Sequence, residues 1–186
     1  MHYAFERGLY GKVRRPLDWL YIVFFAIHFL ASILVDGQYF YPRSVVPASL
    51  SQIKADYIRD SADPLLPRLG KPDAAWFTAA VVLELVLQCP TFLVGIWCLF
   101  RNDRRVYPLL AAYATLGSSS TLFCLVQALH GPASAALTAA NRQSLAGAYG
   151  PFLAVPSVLM VDMIARSTTI IANTVSNEID TAHKTK

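Results

Sequence analysis

Two carboxylates stand inside stretches of sequence that are otherwise apolar. Glu84 lies eleven residues after Asp73, which corresponds to about 16 Å along an α-helix. Gln88 follows one helical turn later on the same face. Pro90 cannot donate a hydrogen bond to the carbonyl of Val86, so it kinks the helix. A carboxylate, an amide and a kink in one helix can open a polar pocket.

Asp36 is the second carboxylate, five residues before the end of another apolar run at Tyr41. In a helical bundle Asp36 could share a proton with Glu84, and the remaining negative charge would attract a cationic ligand. The alternative is that Asp36 lies in interfacial water while Glu84 only forms a hydrogen bond between helices. The residues themselves favour neither interpretation.

Other polar residues in the apolar runs favour structural roles. Arg166 follows Asp162 by one helical turn, which predicts an ion pair within one helix. A lone histidine such as His28 more often bonds a neighbouring helix than a ligand. The small residues of 117–121 more often allow close helix packing than line a pocket.

Four apolar runs must position these side chains, at residues 17–41, 74–100, 106–129 and 145–165. Each reaches the ~20 residues that a helix needs to cross a bilayer. Hydrophobic residues make up 55% of the chain and charged residues 15%, against roughly 25% charged in soluble domains. The predicted fold class is all-α, a polytopic four-helix transmembrane bundle.

The sequence outside the spans consists of two terminal segments and the loops between spans. Residues 1–13 form an N-terminal segment, 14–168 the membrane domain, and 169–186 a tail predicted to be flexible. Between the first two spans, the amphipathic pattern of 42–73 fits either a short interfacial helix or an ordered loop.

The distribution of charge predicts the topology. Four spans put both chain ends on one side, which carries ten of the sixteen Lys and Arg residues. The positive-inside rule places that side, with both termini, in the cytosol. Topology therefore explains the net charge of +4, and nucleic acid is not an expected partner. The three cysteines lie inside apolar runs without metal-ligand spacing, and we expect no metal, cofactor or catalytic residue.

Several short segments, in order from Arg14 to Arg166, form a specific combination. They are Arg14-Arg15 with Trp19 and His28, Val35-Asp36, Asp63-Pro64-Leu65-Leu66, Ala75-Trp76-Phe77, Glu84-Leu85-Val86 with Gln88 and Pro90, and Tyr149-Gly150-Pro151-Phe152 with Pro156. Together they resemble the EXPERA-domain family, most closely its sigma-2 receptor branch. The chain departs from that pattern at Phe152, where tyrosine is usual, and in its shortened lysine-rich tail.

The resemblance implies a non-enzymatic, multi-pass protein of the endoplasmic reticulum membrane, of a kind that is often a homodimer. It implies a lipid-accessible pocket for sterols or other lipids and for cationic amphiphiles, with a role in sterol homeostasis or trafficking. By position, Asp36 would meet the ligand amine, Glu84 would be its protonated partner, and Asp63 would be a loop aspartate needed for an intact site. The implied wall residues are Phe77, Gln88, Ser119, Tyr149 and Phe152.

Two alternative functions remain. The related emopamil-binding protein is a sterol Δ8–Δ7 isomerase with a histidine four residues before the helix-two glutamate and a second acid in helix three. Here the first position is Ala80, and residues 106–130 contain no Asp or Glu, so the sequence disfavours isomerase chemistry. The other alternative is an adaptor for membrane or mitochondrial protein targeting, as in fungal relatives.

Overall fold

A computed structural model describes residues 15–184 as a helical bundle. Within this range the α-helices are α1 (Pro16–Leu34), α2 (Ala48–Ser61), α3 (Ala75–Leu83), α4 (Cys89–Phe100), α5 (Tyr107–His130) and α6 (Ala139–Lys184). Four regions are long and apolar enough to cross a membrane, namely Pro16–Tyr39, Pro72–Phe100, Arg104–His130 and Ala139–Lys184. The predicted all-α membrane bundle is confirmed. The predicted segment 1–13 lies outside the described residues.

The second spanning region is interrupted at the polar residues that the sequence singled out. α3 and α4 are joined by a π-helical turn, Glu84–Gln88, in which the backbone N–H of Cys89 donates to the carbonyl of Glu84. Pro90 follows in the first turn of α4, where its missing donor costs least. Such π turns often lie at functional sites. The helical break next to Pro90 is thus a widened turn that begins at Glu84.

The amphipathic segment between the first two spans forms a helix, α2. It ends at Ala62, which adopts a left-handed conformation with φ of 52°. Lys54 is half-buried on this helix, and burial lowers the pKa of its ammonium group while the negative charge of Asp36 opposes that shift. The segment between the first two spans is therefore a partly buried helix and not a fully solvated loop.

The last helix differs from its predicted boundary. α6 continues through Lys184, whereas the sequence predicted a flexible tail from residue 169. No glycine or proline follows Pro156 within this helix, so no residue interrupts its backbone hydrogen bonds. Residues 171–184 of this helix are exposed, beginning with Ile171 at 64%.

Aromatic rings fill the core beside the site. Phe25 stacks on Phe92 with ring centroids 5.6 Å apart, and Tyr113 meets Phe92 edge-on at 5.1 Å. Gly95 permits this packing, because a Cβ there would lie 2.8 Å from the ring of Phe25. The outer surface is also apolar, with residues such as Phe123 exposed at 66%. A bundle that is apolar both inside and outside is suited to a lipid solvent.

A buried ion cluster fixes α1 against α6. The predicted pair of Arg166 with Asp162 is present, with Nη2 and Oδ2 2.6 Å apart. Arg166 also donates to Asp18 at 2.6 Å, a contact that the sequence did not predict. Tyr21 donates to Asp162 at 3.1 Å. We call these four residues the charge clamp.

Candidate functional site

A cavity of about 380 Å³ lies between α1, α3, the π turn, α5 and α6, closed on one side by the loop after α2. Its lining residues are His28, Ala31, Val35, Asp36, Tyr57, Asp63, Leu66, Phe77, Ala80, Val81, Glu84, Gln88, Ser120, Thr121, Cys124, Ala148, Tyr149 and Phe152. Three of these carry carboxylates, while most of the wall is apolar or aromatic. A mostly apolar wall with a few polar groups is the usual composition of a small-molecule pocket.

Glu84 is held by two residues of α1. Its Oε1 lies 3.2 Å from Nε2 of His28 and accepts a short hydrogen bond from Ser32. Ser32 is itself fixed, because its hydroxyl also lies 2.9 Å from the carbonyl of His28. Two polar partners stabilise a carboxylate that the surrounding core would otherwise disfavour. The interpretation that Glu84 bonds between helices is correct, and the same residue also faces the cavity.

His28 completes the polar end of the cavity. Its ring packs among Phe24, Phe92 and Phe152, with centroids 4.7–5.3 Å away. Only 8% of the residue is exposed. His28 therefore bonds a neighbouring helix, as expected for a lone histidine in a span, and also lines the cavity.

Asp36 and Gln88 lie on the same cavity wall as Glu84. Asp36 begins the 3-10 turn that follows α1 and is half-buried. Gln88 is 5% exposed and packs beside Gly117 of α5, where an added Cβ would be in ordinary van der Waals contact with Oε1 of Gln88 at 3.5 Å. The two carboxylates thus share one cavity. That they share a proton, and that Asp36 meets a ligand amine, stay predictions.

Asp63 has a different environment, because its carboxylate accepts hydrogen bonds from other groups of the protein. It accepts hydrogen bonds from Tyr149 at 2.9 Å, Tyr57 at 3.2 Å, and the backbone N–H groups of Leu65 and Leu66 at 2.7 and 3.3 Å. The negative charge of Asp63 and burial both raise the pKa of Tyr57, with burial the larger cause. Asp63 therefore ties the loop after α2 to α6 and closes the cavity.

The predicted wall residues divide into two groups. Phe77, Gln88, Tyr149 and Phe152 line the cavity, as the resemblance implied. Ser119 does not, because it is exposed on the outer side of α5. Its neighbours Ser120 and Thr121 take that place. With 3.6 residues per turn, Thr121 and Cys124 share a face that Ser119 does not.

Sequence reasoning missed several contributors to the wall, including Tyr57, Thr121 and Cys124. Cys124 lies three residues after Thr121, a helical spacing that could have identified it once the inward face of α5 was known. Tyr57 has no comparable signal, because it lies on α2 and the sequence does not show how that helix packs against the spans.

Comparison with known proteins agrees with this architecture. A family model described as EXPERA (EXPanded EBP superfamily) matches residues 49–163. The chain is 28% identical over 156 residues to the sigma intracellular receptor 2 of Xenopus tropicalis, covering 81% of this chain and 89% of that protein. It is 25% identical over 160 residues to the sigma intracellular receptor 2 of Homo sapiens, with the same coverage.

Proposed function

Since this chain belongs to the EXPERA family, the expanded EBP superfamily, we propose that it binds sterols or other lipids, and cationic amphiphiles, within its membrane domain. One observation carries the proposal, which is the cavity whose wall holds both Glu84 and Asp36. Its similarity to sigma intracellular receptor 2 proteins supports a receptor-like, non-enzymatic role.

The composition of the wall suits an amphiphile. Ring systems and alkyl chains pack against Phe77, Val81 and Phe152, which removes their apolar surface from contact with water or headgroups. A ligand ammonium group pairs with Asp36, and a hydroxyl group bonds Gln88 or Thr121. A volume of about 380 Å³ lies within the usual range of small-molecule sites.

The arrangement of polar groups argues against isomerase chemistry. Moving a double bond requires an acid and a base at opposite sides of the substrate. His28 lies against Glu84, so both belong to one side of the cavity. Among the described wall residues, α5 contributes Ser120, Thr121 and Cys124 but no carboxylate or imidazole. We therefore propose sterol binding without isomerisation.

The proposed cellular role rests on the proposed ligand class and on the distribution of charge. We propose a multi-pass protein of the endoplasmic reticulum membrane with both termini in the cytosol, acting in sterol homeostasis or trafficking. Ten cationic residues on the side of the termini support this orientation.

Direct binding tests the proposal. Purified protein is titrated with a radiolabelled lipophilic tertiary amine and, separately, with a radiolabelled sterol. Asp36→Asn is expected to weaken amine binding at least tenfold, about 1.4 kcal/mol, because the charged partner is lost while the cavity keeps its shape. Sterol binding, which needs no anion, is expected to change little.

Asp60→Asn is the matched control, because Asp60 is exposed on α2, bonds Arg59 and lies outside the cavity. It should leave both affinities unchanged. Equal amine affinity in wild type, Asp36→Asn and Glu84→Gln would refute the proposed site.

A further inference from the structure

A second cavity, of about 230 Å³, lies at the opposite end of the bundle from the loop after α2. Its described lining residues are Arg15, Asp18, Asn102, Arg104, Tyr107, Asp162, Ala165, Arg166, Thr169, Ile170 and Asn173. They come from the start of α1, the connection between α4 and α5, the start of α5, and α6. The cavity is predominantly polar, unlike the first one, and therefore suits a different ligand.

The charges of this second cavity do not cancel. Both aspartates are engaged by Arg166, whose side chain is 3% exposed. Its guanidinium also lies 5.3 Å from the ring centre of Tyr107. Arg15 is exposed and Arg104 half-buried, and no ion pair joins Arg104 to another residue between 15 and 184. Three arginines against two aspartates leave the wall with one net positive charge.

The surrounding surface places this cavity at the edge of the hydrocarbon region. Trp19 and Phe100 are exposed at 46% and 49%, with ring centroids 6.2 Å apart. An exposed tryptophan such as Trp19 is typical of the depth of lipid headgroups, because its ring has an apolar body and a polar N–H group. On α6, Val161 and Ile164 are exposed by 50% or more beside the cavity, where acyl chains can pack. A ligand here meets cations and apolar surface together.

We infer that this second cavity is a binding site for the phosphodiester headgroup of a monoanionic phospholipid. Arg104 and Arg15 bind the phosphate oxygens, Asn102 and Asn173 offer amide donors to the rest of the headgroup, and the acyl chains run along α6. The charge clamp forms the floor and carries one net negative charge, from two aspartates and one arginine, which Arg15 and Arg104 together exceed by one. One net positive charge matches one headgroup anion, which favours phosphatidylinositol or phosphatidylserine over a zwitterionic lipid.

Lipid binding by the full chain tests this inference. Purified protein in neutral detergent is titrated with dioctanoyl phosphatidylinositol, phosphatidylserine or phosphatidylcholine, and bound lipid is counted by native mass spectrometry. The two anionic lipids are expected to bind in preference to phosphatidylcholine. Arg104→Gln is expected to weaken their binding roughly tenfold, the loss of one charge-assisted hydrogen bond. Arg104→Lys retains the charge and is expected to lose less.

Arg101→Gln is the matched control. Arg101 lies at the same end of the bundle, with its guanidinium 4.0 Å from the ring centre of Trp97, but does not line the second cavity. Removing it should leave lipid binding unchanged. Equal losses in Arg101→Gln and Arg104→Gln, or equal binding of all three lipids, would overturn the site. Inorganic phosphate that displaces the anionic lipid at comparable concentration would overturn the assignment to a lipid.

Discussion

The geometry of the charge clamp predicts how much stability the protein loses when Arg166 is replaced. Arg166→Met removes three contacts of the guanidinium, with Asp18 at 2.6 Å and with the two oxygens of Asp162 at 2.9 and 2.6 Å. The two carboxylates stay behind with side-chain exposures of only 7% and 18%. Methionine retains the apolar volume of the stem, so the main change is electrostatic.

The expected loss is large because two like charges remain in a poorly solvated place. Removing one partner of a buried ion pair costs about 3–5 kcal/mol. For a chain of this size that loss lowers the melting temperature by about 6–20 °C. The variant that also carries Asp18→Asn and Asp162→Asn should recover most of the loss, since a neutral cluster leaves no buried charge without a partner.

Scanning fluorimetry in one detergent compares Arg166→Met, the triple variant and wild type. Arg101→Gln, which removes a cation stacked on Trp97, is the control and should melt close to wild type. A melting temperature for Arg166→Met within about 2 °C of wild type would refute the reasoning, because that shift corresponds to less than roughly 1 kcal/mol. A triple variant no more stable than Arg166→Met would refute the electrostatic cause.

The remaining predictions concern the loop after α2, the chemistry and the topology. Tyr149→Phe removes the 2.9 Å hydrogen bond to Asp63 and should cost about 1 kcal/mol in thermal unfolding, and an unchanged melting temperature would contradict that role for the hydroxyl. The chain should not restore growth to yeast that lacks sterol Δ8–Δ7 isomerase, and restored growth would overturn the non-enzymatic proposal. A C-terminal tag should be digested when protease is added to sealed microsomes, and protection of the tag would contradict a cytosolic terminus.

The spans were predictable because charged residues or prolines mark where the apolar runs end. Arginine, proline or a charged loop bounds the first three apolar runs, and the structure ends those spans within a few residues of the predicted limits. α6 is the exception, because the polar composition that predicted a flexible tail does not itself break a helix. Where glycine and proline are absent, the polar sequence after Arg166 continues in helical form.

Within the site, the spacing of residues along one helix was predictable from the sequence. Which face of a helix points into the cavity was not. Glu84 and Gln88 could be placed on one face from their four-residue separation. The inward face of α5 depends on packing against other helices, and Ser119 was therefore placed incorrectly. Pro90 predicted a distortion, but only the three-dimensional packing shows a π turn whose glutamate meets His28 and Ser32.

Long-range polar contacts were the least predictable feature. Asp18 is an acidic residue in the first turn of a helix, a common position that needs no distant partner. Its contact with Arg166 joins residues 148 positions apart. The hydrogen bond from Tyr149 to Asp63 spans 86 positions. No spacing rule relates such pairs, because the packing of whole helices brings them together.

Photoaffinity labelling tests most directly whether amphiphiles enter the acidic cavity. A photoreactive sterol is irradiated with the purified protein, with and without excess lipophilic amine, and labelled peptides are sequenced by mass spectrometry. We predict labels on wall residues such as Phe77, Cys124 and Phe152, and loss of those labels when the amine is present. Labels confined to outward-facing residues such as Val86 and Phe123, and unaffected by the amine, would contradict the account.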